Sequence, residues 1–287
     1  MGVEMSCVPF FRTAITICLV PEARQGPFVF HTTLAGEGLA AACQTAAELG
    51  FDAVEIFPES AEAFPVAQLS RLLAEHGLSV AAVGTGAGWV KHKLHLCHAD
   101  AGARAQARDF IGAIIDVAGQ FGAPAIIGSM QGRFEGDLSR DEALDHLASA
   151  LDLLGARAAA HGQVLLYEPL NRYETNLFNR QGEAAAWLES RGLLHVRLLC
   201  DLFHMNIEEV DVAAALVAAG RWVGHVHWAD SNRQAMGLGH TDTGPVVAAL
   251  RGIGYEGFLS AEVFPLPTPL DASRQTIASL RPHMKTA

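Results

Sequence analysis

Eight short apolar runs recur along the chain, and each is followed by an Ala/Leu-rich segment typical of a helix. They begin about 25 to 45 residues apart, which is too close for separate domains and suits a strand–helix unit. Near-continuous apolar strands that alternate with helices indicate a parallel sheet covered on both faces. The predicted strands span residues 14–20, 53–57, 79–86, 124–130, 164–170, 196–202, 223–230 and 257–264.

Eight such units in 287 residues predict a single (β/α)8 barrel domain that occupies residues 1–287. The residues that typically start and end helices agree with this prediction. Ser139 and Glu142 form a capping-box pattern, and a glycine follows five of the helical segments, at Gly50, Gly77, Gly122, Gly162 and Gly220. The alternative is an open, doubly wound sheet, which would need a glycine-rich phosphate turn after its first strand. The sequence there, "LVPEARQG", is not such a turn.

The overall charge and the cysteines restrict the function and the compartment. The formal net charge is −11 and no basic block occurs, which disfavours binding to nucleic acid or to an anionic membrane surface. No apolar run approaches the length of a membrane span. The run 14–20 reads as a strand, because no small-residue cleavage site of a signal peptide follows it. Scattered cysteines without a C-x-x-C pair fit buried thiols in the cytoplasm, at Cys7, Cys18, Cys43, Cys97 and Cys200.

Four ionisable side chains lie at the carboxyl ends of four successive predicted strands, where the active sites of such barrels are found. They are Glu168, Asp201, His227 and Glu262. Three carboxylates and one imidazole suit a divalent ion such as Mn²⁺, Mg²⁺, Co²⁺ or Zn²⁺. Without a cation, the carboxylates would repel one another and their pKa values would rise. The alternative is a hydrogen-bonded polar barrel end that holds no metal.

The motifs around these four residues resemble those of the sugar-phosphate isomerase/epimerase family of xylose-isomerase-like barrels, and in particular its ketose 3-epimerases. They are "EPLNRYE", "DLFHMNIEE", "HVHWADSNR" and "GHTDTGPVVAALRGIGYEGFLSAEVF". The resemblance implies that Glu168, Asp201, His227 and Glu262 hold one divalent ion, with Mn²⁺ as the first choice. It also implies that Glu168 and Glu262 are an acid/base pair on opposite faces of a small ketose or ketose phosphate. The expected reaction is proton transfer through an enediolate stabilised by the metal.

The resemblance also implies substrate contacts and a quaternary structure. His204, Glu174 and Arg233 match family positions that contact substrate oxygens, and the family suggests a dimer or tetramer. From the sequence pattern, Glu55 is expected to face the barrel opening and orient substrate. Trp89 lies in the glycine-rich and then basic segment 84–98, which is expected to cover the site.

Several neighbouring polar residues have less specific interpretations. His225 is expected to support His227 from one layer below, whereas Asn171 and Arg172 could hold Glu168 in place. Gln131 and Arg133 follow the fourth strand and could bind substrate hydroxyls or pack the loop. The histidines of the segment 84–98 form a cluster, but their polar surroundings disfavour a second metal site there.

Other functions share this barrel. An inosose or 3-dehydroshikimate dehydratase and a hydroxypyruvate isomerase would use a similar metal site, and an aldose–ketose isomerase would use the same enediolate. A hydride-shift xylose isomerase needs two metals and a lysine, so this ligand set disfavours it. An endonuclease-IV-like repair enzyme would need ligands for three zinc ions and a basic face, which the net charge disfavours. A non-catalytic sugar-binding barrel is disfavoured by the complete set of four ligands.

Overall fold

The strands of the barrel were characterised in a computed structural model, which describes residues 11–32 and 37–284. All eight predicted strands are present and parallel, and the first strand pairs with the last, so that the sheet closes. The chain therefore forms the predicted (β/α)8 barrel. Its strands are β1 (Arg12–Cys18), β2 (Phe30–His31), β3 (Ala53–Phe57), β4 (Ser79–Gly84), β5 (Ala125–Ile127), β6 (Leu165–Tyr167), β7 (Val196–Asp201), β8 (Val223–His227) and β9 (Phe258–Ala261).

Helices follow the strands and cover the outside of the barrel with their apolar faces. Two short helices lie at the carboxyl ends of the strands instead, directly after β4 and β7, and both contribute to the site described below. The helices are α1 (Glu37–Leu49), α2 (Val66–His76), α3 (Ala87–His92), α4 (Ala101–Gln120), α5 (Arg140–Ala160), α6 (Gln181–Ser190), α7 (Leu202–Glu208), α8 (Val212–Ala219), α9 (Thr243–Gly252) and α10 (Pro269–Met284).

Several strands are shorter than predicted, β5 and β6 most of all, and one extra strand is present. The predicted strands 124–130 and 164–170 contain only three strand residues each, in β5 and β6. Met130 and Leu170, which follow these two strands, are nevertheless buried. Apolar sequence therefore continues past the strand ends. The two-residue strand β2 adds to the end of β1 and was not predicted.

The predicted helix signals are confirmed. Ser139 and Glu142 form the capping box at the start of α5. The five predicted glycines have positive φ angles between 52° and 87°, which side chains with a Cβ rarely adopt. Cys18, Cys43, Cys97 and Cys200 are free and buried, whereas Cys7 lies outside the described residues. Within the described ranges, no helix combines the length and apolarity needed to cross a membrane.

Strand register brings the predicted ligands to one end of the barrel. Asp201 and His227 are the last residues of β7 and β8 and face each other in the ladder. Glu168 and Glu262 each follow the last residue of their strands, β6 and β9. Because parallel strands end at the same side of a barrel, the four side chains converge there.

Candidate metal centre and substrate cavity

The four predicted ligands form one compact group of buried side chains. Each offers one donor atom, and these atoms all lie within 4.8 Å of one another. The distances from His227 Nδ1 are 3.9 Å to Glu168 Oε1, 3.8 Å to Asp201 Oδ2 and 3.7 Å to Glu262 Oε2. An imidazole nitrogen thus faces three carboxylate oxygens across a small space.

Three of these donor atoms have no hydrogen-bond partner although they are buried. They are Glu168 Oε1, Asp201 Oδ2 and His227 Nδ1. A buried polar atom without a partner costs about 1–3 kcal/mol, so folded proteins rarely leave several together. A divalent cation coordinated by oxygen and imidazole would satisfy all of them at once. The residues present therefore fit a divalent metal ion.

Burial and mutual repulsion shift the pKa values of the carboxyl groups apart. Burial raises the pKa of Glu168 well above its usual value, and the neighbouring Glu262 and Asp201 raise it further. Burial also raises the pKa of Glu262, although Arg233 and His227 oppose this effect. Burial alone would raise the pKa of Asp201 as well, but His204, His227 and Arg233 outweigh it and lower the value to about 2. Two carboxyl groups of this site thus bind protons more readily than an ordinary glutamate does.

Glu55 lies beneath the ligand group and is not among the residues that line the cavity, whereas the sequence pattern placed it at the barrel opening. Its side chain is fully buried, and its two oxygens accept hydrogen bonds from His225 Nε2 at 2.7 Å and His227 Nε2 at 2.9 Å. Burial alone would raise the pKa of Glu55, but the two histidines lower it, so the carboxylate is ionised. Because Nε2 of His227 donates to Glu55, Nδ1 is the nitrogen that faces the carboxylate group and is available for a metal.

Replacing Glu55 with glutamine should weaken binding of Mn²⁺ by about 10- to 100-fold, the usual cost of losing a partner of a metal-ligating histidine. The two histidines bond to different oxygens of Glu55, and in glutamine one of these positions becomes an NH₂ donor, so one imidazole must change its tautomer or its position. Equilibrium titration followed by electron paramagnetic resonance of free Mn²⁺ measures this. Unchanged affinity would show that Glu55 does not orient His227.

Arg233 sits between the carboxylates. Its Nη2 lies 2.6 Å from Glu262 Oε2 and 3.7 Å from Asp201 Oδ2, and its guanidinium stacks over the Phe203 ring at 4.7 Å. The residue has a left-handed φ of 58° in the loop after β8. Asp230, fully buried in this loop, accepts hydrogen bonds from the backbone N–H groups of Gly237, Gly239 and Thr241, among others. Asp230 belongs to the motif "HVHWADSNR", but no local pattern predicts this structural role.

His204 and Glu174, for which the resemblance implied substrate contacts, lie close to the ligand group. Both line the cavity above the ligand group. The ring of His204 is buried and contacts Phe203, whereas the side chain of Glu174 is 40% exposed and lies 3.8 Å from Arg233 Nη1. Asn171 contacts His204 and Glu174, and Arg172 pairs with Glu208 on the outside. Neither holds Glu168, contrary to one interpretation of the sequence.

Gln131 is the residue that fixes the backbone at Glu168. Its side-chain amide donates to the carbonyl oxygens of Glu168 at 2.8 Å and Gly128 at 3.0 Å, and it accepts a hydrogen bond from the Tyr167 hydroxyl. Gln131 is fully buried, so of its two predicted roles the structure shows loop packing. The sequence could not separate these roles, because a glutamine after a strand suits both.

The cavity has a volume of about 320 Å³, which is the size of a small metabolite site. The second half of the barrel supplies its charged residues other than Glu22, whereas the first half supplies a mainly apolar wall. Phe28 and Phe57 are in ring contact at 4.5 Å within this wall. The larger apolar residues that line the cavity are Val20, Phe28, Phe57, Trp89, Val90, Ile126 and Leu170.

Trp89 lines the cavity from α3, the short helix that lies within the segment 84–98. Lys91 of this helix forms ion pairs with Glu59 and Glu22. The side chains of Leu96 and Cys97 are buried and anchor the rest of the segment. Its three histidines belong to no group of potential metal ligands in the described part of the chain.

Comparisons with known proteins agree with this geometry. The family described as "Xylose isomerase-like TIM barrel" matches residues 43–283. The L-ribulose 3-epimerase of Methylomonas sp. strain DH-1 is 31% identical over 223 residues, which cover 76% of both chains. The D-psicose 3-epimerase of Agrobacterium fabrum is 30% identical over 224 residues, again 76% of both. The crystal structure of a D-allulose 3-epimerase from Methylomonas sp. superposes with a TM-score of 0.82 at 25% identity, over 97% of this chain and 100% of that one. The chain therefore belongs to the xylose isomerase-like TIM barrel family and is an enzyme of the isomerase class, related to the ketose 3-epimerases.

Proposed function

We propose that this protein is a divalent-metal-dependent 3-epimerase of a small ketose without a phosphate group, with Mn²⁺ as the ion. One observation carries the proposal. Two buried glutamates, Glu168 and Glu262, contribute to a group of donor atoms that lie within 4.8 Å of one another and largely lack partners. The names of the relatives support the same reaction.

Glu168, Asp201, His227 and Glu262 would hold the ion. When bound there, a divalent ion would act as a Lewis acid on the carbonyl and the adjacent hydroxyl of the substrate, which makes the neighbouring C–H more acidic.

Epimerisation then needs one group that removes the proton at C3 and one that returns a proton on the opposite face. Glu168 and Glu262 reach the site from β6 and β9, which are not neighbours in the barrel. The two groups exchange roles in the reverse reaction. Arg233, beside Glu262, would stabilise negative charge that develops on the substrate oxygens.

The charges of the cavity favour a neutral sugar over a sugar phosphate. Among the described residues that line it, Arg233 is the one permanent cation, and Glu262 already engages it. Lys91 points to Glu22 and Glu59 instead of lining the cavity. Glu22, Glu168, Glu174 and Glu262 add carboxylates to the lining, and these would repel a phosphate.

Proton NMR in D₂O tests the function. The Mn²⁺-loaded protein is incubated with a panel of free ketoses, their phosphates, inososes and 3-dehydroshikimate, and the paramagnetic ion is removed before the spectra are recorded. We expect solvent deuterium at C3 of a free ketose and growth of the second epimer. Glu168→Gln should abolish both signals.

Other outcomes would replace the proposal with a specific alternative. Exchange at C1 with formation of an aldose would make the protein an aldose–ketose isomerase. Loss of water from an inosose or from 3-dehydroshikimate, without exchange on any ketose, would make it a dehydratase. The dimeric or tetrameric assembly and the cytoplasmic location stay predictions from the sequence.

A further inference from the structure

His204 presents one unpaired ring nitrogen to the metal-ligand group. Its Nε2 is buried, has no hydrogen-bond partner, and lies 3.7 Å from Glu168 Oε1 and 3.6 Å from Asp201 Oδ2. By position alone, this nitrogen could be a further metal ligand or a hydrogen-bond donor. The two roles require opposite tautomers, since a ligand needs a lone pair at Nε2 and a donor needs a proton there.

The contacts of the other ring nitrogen decide between these tautomers. The backbone N–H of Asn171 donates to His204 Nδ1 at 3.3 Å, and Asn171 Nδ2 lies 2.7 Å from the same nitrogen. A backbone N–H can only donate, so Nδ1 must accept and carries no proton. In a neutral imidazole the proton is then on Nε2.

The orientation of the Asn171 amide is fixed by two further contacts. Its Oδ1 accepts from the backbone N–H of Tyr173 at 3.0 Å, and its Nδ2 also donates to Glu174 Oε1 at 3.1 Å. A flipped amide would lose both bonds, so Nδ2 is the atom that faces His204. Glu174 Oε1 lies 3.9 Å from His204 Nδ1, which is too far to accept a proton from it.

We infer that Asn171 is a positioning residue that fixes His204 as the Nε2–H tautomer, so that His204 is a hydrogen-bond donor into the site and not a metal ligand. The donor points to the space between Glu168 and Asp201, where an oxygen of a bound sugar would accept it. That last step rests on the proposed function, whereas the tautomer does not.

Nitrogen NMR of the histidine side chains tests the tautomer without any sugar. The protein is labelled with ¹⁵N-histidine and loaded with diamagnetic Mg²⁺, and the His204 signals are assigned by their loss in His204→Gln. We expect a pyridine-like shift at Nδ1 and a pyrrole-like shift at Nε2. In Asn171→Asp, a carboxylate oxygen replaces Nδ2 at 2.7 Å from Nδ1 and outweighs the longer contact at 3.3 Å from the backbone N–H, so Nδ1 should gain a proton and a pyrrole-like shift.

A matched control lies in the same loop. The Asn176 side chain hydrogen-bonds to the backbone N–H and carbonyl oxygen of Phe134, away from His204, and Asn176→Asp should leave both His204 shifts unchanged. A pyrrole-like Nδ1 in the wild-type protein would overturn the inference, and so would unchanged shifts in Asn171→Asp. The Nδ1 shift of the wild-type protein tests the inference without Asn171→Asp. The inference therefore remains testable even if that variant folds poorly.

The donor role is tested by sugar binding. His204→Phe keeps a ring but removes the N–H, and it should weaken the affinity for the ketose turned over by the wild type about tenfold. His204→Gln keeps an amide N–H and should recover most of this loss. Equal losses in both variants would overturn the donor role. If the tautomer is as inferred but no ketose binds or exchanges in the wild-type protein, the proposed function fails while the tautomer stands.

Discussion

Replacing Glu262 with glutamine should lower kcat by about 10³-fold or more, while the affinity for the ketose stays within about tenfold of the wild type. Glutamine has nearly the same shape, and its amide oxygen can still face the metal site and Arg233. It cannot accept or return a proton at the substrate carbon. The loss should therefore fall on the chemical step, and turnover together with equilibrium sugar binding measures it.

A nearby glutamate offers a control for this variant. Glu256 precedes β9, at the opposite end of the barrel from Glu262, and is exposed. Glu256→Gln makes the same chemical change away from the cavity and should leave kcat within about twofold, since exposed substitutions far from a site have small effects. Turnover close to wild type in Glu262→Gln would remove this carboxylate from the mechanism.

Replacing Asp201 with asparagine should weaken binding of Mn²⁺ by about 100-fold or more, which exceeds the expected effect of changing Glu55. Asp201 Oδ1 accepts from the backbone N–H of Phe203 and caps α7, and an asparagine oxygen can retain this bond. The other oxygen becomes an NH₂ group, which cannot coordinate a metal and whose hydrogens, with partial positive charge, would face the cation. Metal binding should fail although the fold persists.

Thermal unfolding with and without added Mn²⁺ separates these two effects. The ion should raise the melting temperature of the wild-type protein but not that of Asp201→Asn, because an ion stabilises the folded state only of a protein that binds it. Asp211 also caps a helix, α8, by accepting from Ala214, and lies outside the site. Asp211→Asn should show the wild-type response to Mn²⁺. An equal response in Asp201→Asn would show that Asp201 is not a ligand.

The barrel could be predicted because its sequence signal is repeated eight times. Continuous apolar runs and helix caps depend on local chemistry, and each repeat supports the others. Strand length was harder to predict where buried apolar residues follow the strand, as at Met130 and Leu170. There the side chains stay buried after the strand hydrogen bonds end. An apolar sequence indicates burial, but it does not indicate where strand pairing stops.

The ligand set could be predicted for a related reason. Parallel strands end at the same face of the barrel. Acidic and imidazole side chains at the strand ends can therefore be predicted to lie close together without knowledge of side-chain packing. Glu55 shows the limit of this argument, because strand-end position does not tell whether a carboxylate points to the opening or to the layer below. Asn171 and Gln131 act through hydrogen bonds to residues 33 and 37 positions away, and no local pattern indicates such partners.

The apolar wall of the cavity has a consequence for stereochemical selectivity. A site that hydrogen-bonds a given hydroxyl can reject a substrate lacking it by about 10⁴-fold or more, whereas apolar contacts discriminate by about 10- to 200-fold. Val20, Phe28, Phe57 and Ile126 offer no side-chain donor or acceptor to a sugar. Configuration should therefore be read strictly at the carbons near the ion and loosely at the far end of the chain. Ketoses that differ only at distant carbons should be turned over with specificity constants that differ by no more than about two orders of magnitude.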